Sequence, residues 1–194
     1  MKGVIVFVKN PELGKVKTRL AATVGDKEAL SIYHKLLEYT RGVLLDLEET
    51  QRFVFYSSFI DDGDDWSNAN FHKYIQEGLD LGQRMSTAFK LIFEKCDKVV
   101  IIGSDCTQLK SSHINSAFDF LESKDMVIGP SHDGGYYLLG LNKHNPFLFQ
   151  NIEWSSASVL KETLDKADHL NLQYTMLEEL SDIDNEEDWR RYGF

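Results

Sequence analysis

The chain has 194 residues, 42% hydrophobic and 12% aromatic, with a formal charge of −10. That size and apolar content suit one folded domain over residues 1–194, and the acidic balance excludes a broad nucleic-acid-binding surface. Two cysteines, Cys96 and Cys106, form neither a disulfide framework nor a zinc pattern, and no apolar run suits a membrane span or signal peptide. The expected setting is the reducing cytoplasm.

The first apolar run, "GVIVFV" (3–8), reads as a strand buried on both faces. It feeds the loop "KNPELGKVKTRLA". Five basic residues fall in the first 20 positions against one acid, Glu12; the other 174 residues carry 16 bases and 30 acids. Gly14 allows close backbone approach, Lys9, Lys15, Lys17 and Arg19 supply cations, and Thr18 can open a short helix whose free amides favour an anion. The pattern suits a di- or triphosphate. It is not a P-loop, because "GKVK" lacks the Ser or Thr after Gly-Lys. A merely solvated loop is the alternative, and the position after the first strand of an α/β sheet weighs against it.

From Asp26, apolar residues at helical spacing (Ala29, Leu30, Tyr33, Leu36, Leu37, Val43, Leu44, Leu47) predict a helix. A strand over 52–58, a polar loop over 59–70 and a short strand over 71–76 follow. Leu81, Met85, Ala88, Phe89 and Ile92 mark the next helix. Arg84 in its first turn opposes the helix dipole, which suggests a function; a surface pairing with Asp80 or Glu77 is the alternative. The strand over 98–105 ends in Ser104 and Asp105. A carboxylate there is well placed to hold Mg²⁺ against phosphates, unless it only caps a turn. Cys106 reads as a packed small hydrophobe.

Ser112 is the expected N-cap of a helix carrying Ile114, Ala117, Phe118 and Leu121. Strands over 125–130 and 135–141 flank "SHDG", a hairpin signal containing Asp133 and Gly134. Alternation sends Tyr136 and Tyr137 to opposite faces, so one of them can line a pocket. A helix over 156–168, a strand over 172–177 and a helix from about Asn185 complete the chain. Five acids crowd residues 182–188. Asp184 with Glu187 resembles a capping box, while the functional reading makes Asp182 or Asp184 a second metal ligand. The aromatics of "WRRYGF" offer a seat for a second copy of the chain. The alternation of elements implies a largely parallel sheet with helices on both faces. Its carboxyl-end rule brings 9–19, 103–109 and 130–136 together.

The stretches "FVKNPELGKVKTRLA", "GLDLGQRMSTAF", "VIIGSDCTQL", "IGPSHDGGYYLLGL", "NIEWSSASVLKETL" and "DIDNEEDW" resemble, in order, a bacterial family of nucleotide-diphospho-sugar transferases, formerly a domain of unknown function. Some of its members are labelled arsenosugar-biosynthesis glycosyltransferases. More distantly the chain is similar to phospholactate and molybdenum-cofactor guanylyltransferases. The resemblance implies a GT-A type fold: a Rossmann-like three-layer α/β/α sandwich with a mainly parallel mixed sheet. It implies that Gly14, Lys15, Lys17 and Arg19 wrap nucleotide phosphates; beside that resemblance, Lys9, Arg84 and Ser104 are further phosphate-binding candidates. Asp105 and Asp184 would bind Mg²⁺ or Mn²⁺, and Asp133, Gly134, Gly135 and Tyr136 would face the acceptor. The sequence departs from the family at Thr107, where proline is usual, and at Asn185–Glu186, where Thr-Pro is usual. The first departure is expected to loosen the loop carrying Asp105. The second is expected to weaken helix initiation, although Asn185 caps well.

The first expectation is therefore a Mg²⁺-dependent glycosyltransferase using a nucleotide-diphospho-sugar, with Asp133 as base and Lys17 and Arg19 offsetting charge on the leaving group. The alternative is a nucleotidyltransferase joining a nucleoside triphosphate to a small phosphorylated metabolite with release of pyrophosphate. A nucleotide-binding module without turnover is the third reading. The expected partner is a nucleotide or nucleotide sugar, not nucleic acid.

Overall fold

The computed structural model describes residues 1–194. Seven strands form one sheet: β1 (Lys2–Val8), β2 (Thr50–Tyr56), β3 (His72–Ile75), β4 (Lys98–Ile102), β5 (Met126–Pro130), β6 (Tyr136–Leu141) and β7 (Tyr174–Met176). Their spatial order is β3-β2-β1-β4-β6-β5-β7. Only β6 runs against its neighbours, β4 and β5, because the Asp133–Gly135 turn reverses the chain. The remaining pairs are parallel, so β1 to β5 all point their carboxyl ends at one rim.

Strand alternation splits the core in two. Val4, Val6 and Val8 face one side with α1 (Thr18–Val24), α2 (Asp26–Leu45) and α4 (Ser111–Phe120), as does α6 (Glu186–Tyr192) through Trp189. Ile5, Phe53 and Phe55 face the other, packed on α3 (Leu81–Ile92), α5 (Val159–His169) and a 3-10 turn (Pro146–Phe149). This is the expected three-layer sandwich. Helix α3 shows the local logic. Met85, Ala88, Phe89 and Ile92 are buried on one stripe, and Asp80 accepts a hydrogen bond from Gln83 N at 2.8 Å as the N-cap. Burial contributes roughly 2 kcal/mol for each large side chain, and such a cap about 1 kcal/mol.

Four local expectations are corrected. The N-cap of α4 is Lys110, not Ser112; the Lys110 N–H donates to His113 Nδ1 at 3.0 Å. The polar 59–70 loop inserts Trp66 into the core, edge-on to Phe71. Thr107 does not loosen its loop: the side chain is buried and its hydroxyl donates to Tyr192 O at 2.6 Å. Helix α5 begins at Val159 rather than 156, because Ser156 and Ser158 spend their hydroxyls on local bonds and Ser155 takes a left-handed conformation. At α6, Asn185 caps as expected, accepting from Glu187 N and Asp188 N.

Candidate active site

The rim carries a cavity of about 760 Å³. The basic loop reaches it because Val16 and Leu20 are buried on either side of Lys17 and Arg19. Lys17 takes a left-handed backbone (φ 46°) and its side chain turns inward, 8% exposed. The ammonium donates to Asp105 Oδ2 at 2.7 Å and lies 3.7 Å from Asp184 Oδ1. Burial works against the Lys17 charge, but Asp105 first, then Asp184 and Asp182, outweigh it and hold the ammonium above the ordinary lysine range. Arg19 donates to Asp184 Oδ2 at 3.2 Å while its side chain stays 74% exposed, free to reach a ligand.

The acids come from a segment stitched across the rim. Leu180 pairs with Pro130 and His132 through backbone bonds, and Ile183 N donates to Asp105 O at 2.9 Å. Ile183 is fully buried, so Asp182 and Asp184 flank it and both line the cavity. Asp182 Oδ1 is buried with no hydrogen-bond partner. Burial, then the Asp105 carboxylate, pushes the Asp182 pKa well above the usual carboxylate value. No three His, Cys, Asp or Glu side chains already converge into a metal site. Asp133 accepts from Ser131 Oγ at 2.5 Å and from Gly135 N at 2.9 Å, closing its own turn.

Of the residues picked from sequence, Lys9, Lys17, Arg19, Arg84, Ser104, Asp105, Asp133, Gly135, Tyr136 and Asp184 line this cavity. Lys15 is not brought in: its ammonium pairs with Glu12 at 2.8 Å in the exposed part of the loop. Gly14 faces Asp26, and Gly134 packs against Ala157 outside the cavity wall. Arg84 pairs with neither Asp80 nor Glu77; its Nε donates to Gly78 O at 3.2 Å. Tyr136 lines the cavity and Tyr137 does not, but the Tyr136 hydroxyl is buried without a partner, so only the ring is offered.

Among the lining residues that the sequence did not mark, three shape the site. The Tyr33 hydroxyl accepts from Lys9 N at 2.8 Å and lies 3.4 Å from Ser104 Oγ, tying β1 to β4. Burial pushes its pKa up to about 12. Gln76 Nε2 donates to Val8 O and Phe55 O, clamping the ends of β1 and β2. Trp154 stands over Gly82, where an added Cβ would lie 2.4 Å from the indole. Only an odd feature, a tryptophan amid serines in "NIEWSSAS", marked the last.

A mainly parallel sheet with a cation-and-carboxylate cleft at its carboxyl rim defines a transferase of the nucleotide-diphospho-sugar transferase fold. A crystal structure from Desulfovibrio desulfuricans G20, described as a "putative nucleotide-diphospho-sugar transferase", superposes with a TM-score of 0.87 at 31% identity, covering 99% of this chain and 92% of that one. Residues 41–156 match the family described as "Uncharacterized protein conserved in bacteria (DUF2064)", and the chain belongs to that family. The 2-phospho-L-lactate guanylyltransferase of Methanocaldococcus vulcanius is 26% identical over 172 residues, 88% of this chain and 74% of that protein. The inositol-1-phosphate CTP transferase of T. maritima shares the fold, with a TM-score of 0.64 at 16% identity, covering 97% of this chain and 91% of that one. No helix is long and apolar enough to cross a membrane.

Proposed function

We propose that the protein is a nucleotidyltransferase that joins a nucleoside triphosphate to a small phosphorylated metabolite and releases pyrophosphate. The observation that carries this reading is the Lys17 ammonium set among Asp105, Asp184 and the unpartnered Asp182, with Arg19 beside it. The guanylyltransferase relative supports it over the glycosyl transfer expected first.

An oxygen of the substrate phosphate attacks the α-phosphorus, the new phosphoanhydride forms, and the bond to the β-phosphate breaks. The attacking oxygen is already ionised, so no protein base is needed. That agrees with an Asp133 carboxylate whose Oδ1 is committed to Ser131 and Gly135. Lys17 and Arg19 orient the triphosphate and offset charge gathering on the departing pyrophosphate. Lys9 and Arg84 extend the positive wall.

The donor set fits Mg²⁺ or Mn²⁺: all three acids offer hard oxygens, and Asp182 has a buried oxygen that nothing else satisfies. Asp105 and Asp184 would hold the ion, with the buried Asp182 beside them. When bound, such an ion neutralises phosphate charge.

The test incubates the protein and Mg²⁺ with each nucleoside triphosphate and 2-phospho-L-lactate as first acceptor, and separately with nucleotide sugars. Pyrophosphate release dependent on the acceptor supports the reading. Nucleoside diphosphate released from a nucleotide sugar, without pyrophosphate formation from any triphosphate, sinks it in favour of glycosyl transfer. An Asp105→Asn variant that binds nucleotide fully without Mg²⁺ would point to a module without turnover.

A further inference from the structure

Residues 153–158 form a strap before α5 begins, and its residues 154–157 wall the cavity. Ser156 Oγ donates to Glu153 O at 2.7 Å and lies 2.7 Å from Ser158 Oγ. Ser158 Oγ donates to Glu162 Oε1 at 2.5 Å, and Glu153 N donates to Glu162 Oε2 at 3.1 Å. One carboxylate therefore accepts from both ends of the strap. The Ser158 bond, then the Glu153 bond, holds the Glu162 carboxyl below the usual glutamate range. Glu162 is not in the cavity; it lies behind the strap, beside Asn151 and Lys166.

Held this way, the strap packs on two glycines from different segments. The Trp154 indole covers Gly82 at the start of α3, and the Ala157 carbonyl sits 2.2 Å from where a Gly134 Cβ would be. Leu160 N also donates to Gly134 O at 2.8 Å, bonding the start of α5 to the Asp133 turn. Ser155, with φ 66°, is in a conformation that its surroundings must impose. The strap is thus tied to the Asp133 turn, whereas the basic loop, which suits the triphosphate, is tied to Asp105 and Asp184.

We propose that Glu162 is a positioning residue: it fixes the strap so that Trp154 forms a rigid wall for the second substrate, setting affinity for that substrate and not for the nucleotide. The proposal rests on the nucleotidyltransferase reading. A plain helix-dipole role for Glu162 makes a different prediction. Glutamine keeps an acceptor for Glu153 N and can donate to Ser158 Oγ, yet carries no charge.

The experiment compares wild type, Glu162→Ala, Glu162→Gln and Glu162→Ala/Trp154→Phe. Pyrophosphate release is followed with GTP and 2-phospho-L-lactate as probes, and tryptophan accessibility by acrylamide quenching. Glu162→Ala is expected to raise the KM for 2-phospho-L-lactate about tenfold, keeping that for GTP within about twofold, by loss of the two hydrogen bonds that hold the strap. It should also increase quenching, an increase absent from the double variant, while Glu162→Gln behaves as wild type. Unchanged quenching, an equal rise in the GTP KM, or a Glu162→Gln defect as large as that of alanine overturns the proposal. A wild type that releases no pyrophosphate from this pair counts against the nucleotidyltransferase reading alone; the quenching comparison still decides what Glu162 holds.

Discussion

Replacing Lys17 by methionine keeps the apolar stem and removes the charge that Asp105 and Asp184 share. Breaking a buried ion pair from one side costs about 3–5 kcal/mol, since the remaining charge is left unpaired. Both aspartates keep 34% side-chain exposure, so water screens part of the penalty. The expected loss is about 1–3 kcal/mol. For a chain of this size each kcal/mol moves the thermal midpoint by about 2–4 °C, so the midpoint should fall by about 2–12 °C. Turnover should fall further, about 10²- to 10³-fold, because the ammonium is proposed to meet charge that grows as pyrophosphate leaves. Adding Asp105→Asn to Lys17→Met removes one orphaned carboxylate. The double variant should regain part of the midpoint and none of the activity. Calorimetry with a pyrophosphate-release assay measures both. A Lys17→Met protein with an unchanged midpoint and activity within threefold of wild type refutes the reasoning.

Gly82→Ala puts a methyl group 2.4 Å from the Trp154 indole, so either α3 or the strap must shift. A stability loss of about 1–3 kcal/mol and an altered tryptophan emission spectrum are expected. Burial pushes the Cys106 thiol up to about 12 and raises that of Cys96. Both should therefore resist a thiol reagent at pH 8 in native protein and react at once in denaturant. Burial, then Lys90, holds His144 below its ordinary value of 6.5. Its neutral form is favoured by folding, so its contribution is complete above pH 6.5 and is lost as pH falls through the lower folded value. The difference in denaturation midpoint between pH 7.5 and pH 5 should shrink in His144→Asn.

Much of the fold was legible because each layer carries its own period. Val4, Val6 and Val8 alternate with Ile5, and α3 repeats every three or four residues, so burial imposed from both sides is written locally. Part of the site was equally plain: Asp105 ends an apolar strand and Lys17 follows another. Tyr33 was hidden because it completes an apolar helical stripe; only the docking of α2 turns its hydroxyl toward Lys9 and Ser104. Asp182 and Asp184 could not be separated by spacing, since burial of Ile183 between them sends both to the rim. Lys15 looked like Lys17 in sequence, and its pairing with Glu12 is a matter of loop geometry. Residues 156–158 of the strap read as helix in the sequence because serine hydroxyls can bond either way, and Glu162, four positions after Ser158 and nine after Glu153, decides.

The contacts at Lys17 also bear on how the molecule comes together. Its partners lie 88 positions away at Asp105 and, through Arg19, 165 positions away at Asp184. Closing spans of that length is entropically slow. A nascent polypeptide emerging from the ribosome therefore lacks the Asp184 side of this cluster until the 180–184 segment is stitched over Pro130 and His132. The proposed activity then waits for this segment, so chains made only as far as Pro130 should lack it.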